Sequence, residues 1–153
     1  MTNPHRRRSR IASAIAVMAT LTAGCATTEN GTLSPIWGPY SERQPVPVLS
    51  IEASVTGPAG ELNLTTPEGS PCVGTWSRDS SNRSFLSERN ITGGKGLEFF
   101  RAWSTYSGGS NLATGTARCS DGTTFSAEFL VSGNVPGAGI AVDSNGNVYR
   151  VAF

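Results

Sequence analysis

Few residues in this chain of 153 could carry catalytic chemistry. The only histidine is His5 and the only lysine is Lys95. A Ser-His-Asp or Cys-His hydrolase needs an imidazole base, and most zinc sites use imidazole as a ligand. His5 lies in a segment that we predict to be removed, and Lys95 lies in a Gly-rich turn where it should be solvated and fully charged. We therefore expect neither nucleophilic catalysis nor a metal centre.

Paired carboxylates are the remaining route to catalysis, because two of them can hydrolyse a glycan. The acidic residues that could form such a pair are Asp79, Glu88, Glu98, Asp121 and Glu128. Asp121 belongs to an Asp-Gly turn, and Glu88, Glu98 and Glu128 occupy outward positions, so we interpret them as solvated surface charges. The sequence predicts no catalytic residue and no cofactor, and we expect a protein that is not an enzyme.

One segment near the C-terminus carries residue types that bind calcium. In Asp143-x-Asn145-x-Asn147 the oxygen-bearing side chains alternate as they do at the start of an EF-hand loop. That loop also needs a glutamate at its twelfth position, and the chain stops before it. We interpret the segment as a hairpin turn.

The N-terminus has the three parts of a secretory signal. Four arginines precede an uncharged apolar run from Ile11 to Ala23, and small residues follow. Thirteen helical residues reach about 20 Å, which is too short for a bilayer core of about 30 Å. Residues 1–24 are therefore predicted to be a signal peptide.

The end of this segment, Leu21-Thr22-Ala23-Gly24-Cys25, resembles the lipobox of bacterial lipoproteins. The resemblance implies cleavage before Cys25, diacylation of its thiol and a stable membrane anchor. Ala26, in place of aspartate, implies sorting to the outer membrane, with the domain facing the periplasm. An ordinary signal peptide followed by a chance cysteine is the alternative.

Charge and cysteine content describe the rest of the chain. Without residues 1–24, 8 basic and 11 acidic residues remain, a net charge of −3, which argues against nucleic-acid binding. Cys72 and Cys119 are an even pair in an oxidising compartment, so a disulfide is predicted. A metal site with two thiolates would lack further ligands.

Residues 25–47 are predicted to be the lipidated cysteine and a flexible tether, because several prolines should break any helix or central strand. From residue 48 to 153 apolar and polar residues alternate, as in Leu49, Ile51, Ala53 and Val55, and Gly-containing turns recur. This pattern predicts an all-β domain, an antiparallel meander of about eight strands.

The turns also define a repeat. Large residues follow turn glycines at positions +3 and +7, as Phe125 and Phe129 follow Gly122, and strands with small residues on one face precede the last two turns. The rings should therefore pack on neighbouring backbone, which explains the glycines. The pattern resembles MORN repeats, which implies a sheet of repeated hairpins; a small β-sandwich or barrel is the alternative.

Aromatic residues outside the repeat are the remaining indication of a binding site. Trp37, Tyr40, Phe100 and Tyr106 could form an exposed patch, with packing on the domain as the alternative. We predict a lipid-anchored envelope protein with a binding or structural accessory role. Its partners would be the membrane, through the anchor, and an envelope protein or peptidoglycan. The alternative function is inhibition of a periplasmic hydrolase such as lysozyme.

Overall fold

The computed structural model describes residues 26–78, Glu98, Arg101, Trp103 and residues 111–153. A 3-10 helix spans Pro39–Glu42. The eight strands are β1 (Thr27–Trp37), β2 (Leu49–Val55), β3 (Ala59–Thr65), β4 (Pro71–Arg78), β5 (Leu112–Cys119), β6 (Thr124–Ser132), β7 (Val135–Asp143) and β8 (Val148–Ala152).

The strands form an antiparallel meander that closes into a barrel. Each strand pairs with the next one along the chain, and β8 returns to pair with β1. Closure leaves no free sheet edge at β1 or β8. The all-β meander of about eight strands is therefore confirmed, and of the architectures left open by the sequence the structure is the barrel.

The predicted tether over residues 25–47 is wrong for most of its length, because β1 and the 3-10 helix occupy it. Pro35 does not break β1. Pairing with β2 stops at Leu33, so Pro35 has a partner only on β8, next to a register irregularity between Pro35 and Trp37. Proline is tolerated where a strand is unpaired on one side or bulged. The β domain thus begins at Thr27.

The two faces of the barrel wall are both apolar over part of the molecule. Inward side chains fill the barrel, and Trp76, Phe129 and Tyr149 are the largest of them. A second cluster lies on the outside of β5 to β8. It consists of Trp103, Leu112, Ile140, Val142 and Val148, with Ile36, Trp37 and Leu130 packed against it. Alternation along each strand explains the separation, since Ala141 points inward and its neighbours outward.

The connections divide between the two ends of the barrel. We call the end that carries the connections β1–β2, β3–β4, β5–β6 and β7–β8 the loop end. The opposite end, which we call the N-terminal end, holds Thr27, Ala152 and the β2–β3 and β6–β7 turns. The start of the first strand and the loop end are therefore separated by the full height of the barrel.

Candidate functional site

The loop end is braced by the disulfide. Cys72 on β4 and Cys119 on β5 are directly opposite in register and are bonded to each other. The adjacent turns are also linked, because the backbone N–H of Ser120 donates to the carbonyl of Pro71 at 3.0 Å. The predicted disulfide is confirmed, and it ties the β3–β4 and β5–β6 turns together.

The β7–β8 turn is organised around the carboxylate of Asp143. Oδ1 accepts hydrogen bonds from the backbone N–H groups of Asn145 and Asn147, each at 2.9 Å. Oδ2 accepts from Nδ2 of Asn147 at 2.8 Å and from the hydroxyl of Tyr149 at 2.6 Å. The segment is the predicted hairpin turn, and its carboxylate is satisfied by donors of the protein.

The buried phenol of Tyr149 is held in its protonated form. Burial raises its pKa, and the hydrogen bond to Asp143 raises it further. Tyr149 is therefore a hydrogen-bond donor to Asp143 throughout the physiological pH range.

The β1–β2 connection is fixed to this turn through Asn147. Oδ1 of Asn147 accepts a hydrogen bond from the backbone N–H of Tyr40 at 2.7 Å. Gly38 has a φ of 93°, and a Cβ there would lie 2.7 Å from the Cα of Asn147. The close approach of the two connections thus requires glycine at this position.

Tyr40, Arg43 and Glu68 form what we call the surface clasp of the loop end. The hydroxyl of Tyr40 donates to Oε2 of Glu68 at 2.6 Å, and Nη1 of Arg43 contacts Oε1 at 2.7 Å. The Arg43 guanidinium also lies 4.3 Å from the centroid of the Tyr40 ring. The clasp joins the β1–β2 connection to the β3–β4 turn.

The charges of the clasp shift its titrating groups in opposite directions. The hydrogen bonds from Tyr40 and Arg43 lower the pKa of Glu68. Burial and the adjacent Glu68 carboxylate raise the pKa of Tyr40 to about 12. Glu68 is therefore ionised and Tyr40 protonated near neutral pH, which is the combination that this hydrogen bond needs.

The structure locates some of the predicted site residues and not others. Tyr40 is buried and Trp37 packs on the outer cluster, so these two aromatic residues face the domain and do not form one exposed patch. Cys25, Phe100 and Tyr106 lie outside the described residues, as do Asp79, Glu88 and Lys95.

Of the predicted surface carboxylates, Glu98 and Asp121 are exposed, but Glu128 is fully buried, so its assignment as a solvated charge is wrong. Glu128 does point away from the barrel interior. The indole of Trp103, from the connection between β4 and β5, covers it, with Nε1 3.4 Å from Oε2.

Arg43, Glu68 and Tyr149 were not singled out by the sequence as site residues. They lie on three different connections or strands, so their proximity depends on barrel closure, for which the chain carries no local signal. The Asp143-x-Asn145-x-Asn147 spacing was the one available pointer to this end of the molecule.

Among the described residues, no group of three or more His, Cys, Asp and Glu side chains could hold a metal ion. In the same part of the chain there is no helix with the length and apolar character to cross a membrane. Comparison with known proteins finds no matching family model, no similar curated protein and no similar solved structure.

Proposed function

We propose that this protein is a lipid-anchored accessory protein of the bacterial envelope that binds its partner through the loop end of the barrel. The observation that carries the proposal is the position of Thr27. This first residue of β1 follows Cys25 by two positions and lies at the barrel end opposite the loops. An acylated Cys25 would therefore hold the N-terminal end of the barrel against the membrane.

Chain dimensions support this orientation. Two residues span at most about 7 Å, so little free tether would separate the lipid from the barrel. The 11 residues of β1 rise about 3.3 Å each, and strand tilt shortens the barrel height to roughly 25 Å. The loop end would then be the part of the domain presented furthest into the periplasm.

The surface of the loop end supports a role in binding. The β1–β2 connection, which supplies Arg43 to the surface clasp, also exposes Val46 and Val48. Apolar side chains interspersed with fixed polar groups are typical of protein interaction sites. The partner is proposed to be an envelope protein or peptidoglycan.

The interior of the barrel supports the same proposal. Aromatic rings occupy the space, including an edge contact between Trp76 and Phe129 with centroids 5.8 Å apart. A barrel filled by side chains presents its binding surface on the outside.

Three experiments test the proposal. Membrane fractionation should find the wild-type protein in the outer membrane and a Cys25→Ser variant in the soluble fraction. A membrane-bound Cys25→Ser variant of unchanged mass would contradict the anchor.

In-cell photocrosslinking should separate the two barrel ends. A photoreactive residue at exposed Glu42 should recover a specific envelope component, whereas the same group at exposed Asn134, on the N-terminal end, should not. Equal recovery from both positions would contradict binding through the loop end.

Nanomolar inhibition of lysozyme by the purified protein would replace the accessory role with that of an inhibitor.

A further inference from the structure

The barrel wall opens between two of its strands. β2 and β3 share three register pairs, from Ile51–Leu64 to Ala53–Leu62, whereas β3 and β4 share seven. Leu49 and Ser50 are paired with β1 but have no partner on β3 within the described strands. Successive residues of a strand direct their N–H and C=O groups to opposite sides, so one of these two residues presents its backbone groups on the β3 side, where a further strand can pair with them.

A groove of about 710 Å³ lies over this opening on the outer surface. Its volume is within the range of about 300–1,000 Å³ that is common for ligand sites. Val48 and Val73 line it and are 59% and 66% exposed. Val48 precedes β2 and Val73 lies on β4, next to β3, so the two solvent-exposed valines give the groove an apolar surface that a partner would cover.

The groove has a single sign of charge. Glu52 is the one charged residue that lines it, and its register neighbours Asn30 and Asn63 are neutral. Among the described residues the salt bridge is the one between Arg43 and Glu68, and Glu52 takes no part in it. The carboxylate of Glu52 can therefore pair with a cation of a ligand. A cationic group is favoured in this groove and an anionic one is repelled.

We propose that the groove binds an extended peptide segment of an envelope protein, apolar apart from one lysine or arginine. The segment adds to β2 as a strand beside Leu49 and Ser50, its apolar side chains contact Val48 and Val73, and its cation pairs with Glu52. Main-chain hydrogen bonds then supply affinity and the side-chain contacts supply selectivity. This inference rests on the proposed accessory function and names the ligand class of that binding surface.

A defined peptide tests the inference. The probe is a fluorescein-labelled peptide with blocked ends that alternates valine with threonine and has one central lysine. Its binding to the full chain, purified in mild detergent, is followed by fluorescence anisotropy. Matched probes carry glutamate in place of lysine, or N-methyl groups on the backbone of alternate residues.

The expected result is a dependence on both charge and backbone. Glu52→Gln should weaken binding of the lysine probe by about two- to fivefold, the range for an exposed charge pair. Glu61→Gln, an exposed carboxylate on β3 outside the groove, should leave it unchanged. The glutamate and N-methylated probes should bind the wild-type protein more weakly than the lysine probe.

Three results would overturn the inference. They are an unchanged affinity in Glu52→Gln, equal binding of the N-methylated probe, and self-association of the protein that Val48→Asp abolishes, which would mean that a second copy fills the groove. Peptide binding in detergent does not need the lipid anchor, so a Cys25→Ser variant that stays membrane-bound with unchanged mass would contradict the proposed function without affecting this measurement.

Discussion

The hydroxyl of Tyr149 lies 2.6 Å from Oδ2 of Asp143 inside the loop end, and this hydrogen bond connects the barrel core to the turn that follows β7. Tyr149 is fully buried, and Asp143 is 8% exposed. The same carboxylate also binds the backbone of the turn and the amide of Asn147. One buried charge thus sets the shape of the hairpin and the position of the ring below it.

Replacement of Tyr149 by phenylalanine should lower the free energy of unfolding by about 1.5–3 kcal/mol. This range is typical of a buried hydrogen bond to a charged group, and here Asp143 would lose one of its donors. Denaturant unfolding of the two proteins measures the difference. Tyr40→Phe is the matched control, because it removes a hydroxyl from the part-buried bond to Glu68 and should cost less. Equal stability of wild type and Tyr149→Phe would contradict this role.

Acid should release the surface clasp. The pKa of Glu68 is lowered from its usual value of 4.5, so its stabilising contribution is complete above 4.5 and is lost as the pH falls through the lowered value. Between about pH 7 and about pH 3 the wild type should lose more stability than Glu68→Gln. The extra loss should stay below about 1 kcal/mol, since Glu68 and Arg43 are half exposed.

Urea unfolding at several pH values provides the measurement for the clasp. Glu61→Gln serves as the control, because Glu61 is an exposed carboxylate outside the clasp. The prediction fails if the acid-induced loss is the same in Glu68→Gln and in the wild type.

Alkali should weaken the surface clasp by ionising the phenol of Tyr40. Because the pKa of Tyr40 is raised to about 12, its contribution is present below the ordinary phenol value of 10.0 and disappears as the pH rises through about 12. Phenolate absorbance should show a step near pH 12 that is missing in Tyr40→Phe. Glu68→Gln should move this step towards lower pH, and an unmoved step would show that Glu68 does not act on the phenol.

The strands after residue 48 could be predicted from the sequence because they are local features. In β2 each apolar residue from Leu49 to Ala53 is buried and each polar residue between them is exposed. Phe125 and Phe129 lie inward at the predicted offsets from Gly122. Period-two alternation and turn glycines are short-range patterns, so they can be recognised in the sequence without knowledge of the tertiary fold.

Contacts between distant parts of the chain could not be predicted in this way. β1 pairs with β8, whose residues follow it by more than 100 positions, as well as with β2, and Pro35 within β1 argued against a strand there. Glu128 follows the alternation of β6, but its burial depends on Trp103 from another connection. The clasp likewise joins Arg43 to Glu68 across the mouth of the barrel, with no sequence pattern that relates them.

The disulfide should supply a large part of the stability. Cys72 and Cys119 are 47 residues apart, and a cross-link over such a loop contributes about 2–4 kcal/mol. A Cys72→Ser, Cys119→Ser double variant should unfold at a lower denaturant concentration than the wild type. Reductant should lower the unfolding midpoint of the wild type to that of the double variant. Cys25→Ser should keep the sensitivity of the wild type to reductant. A wild-type unfolding midpoint that reductant does not change would contradict the prediction.

Two glycines of the barrel wall should differ in their tolerance of alanine. A Cβ on Gly60 would collide with the backbone carbonyl of Ser54 and lie 2.7 Å from the indole nitrogen of Trp76. That nitrogen donates a hydrogen bond of 2.9 Å to the same carbonyl. A Cβ on Gly115 would instead approach a methyl of Leu62 at 2.7 Å, which can rotate away.

Gly60→Ala should therefore cost more than Gly115→Ala, for which overpacking predicts about 1–3 kcal/mol. The loss in Gly60→Ala should be accompanied by a change in tryptophan fluorescence, because the alanine displaces Trp76 from the carbonyl of Ser54. Denaturant unfolding followed by fluorescence measures both effects in one experiment. Thr75→Ala, at an exposed position on β4, is the control and should unfold like the wild type. If Gly115→Ala were the more damaging change, the rigid backbone of Ser54 would not be what requires glycine at position 60.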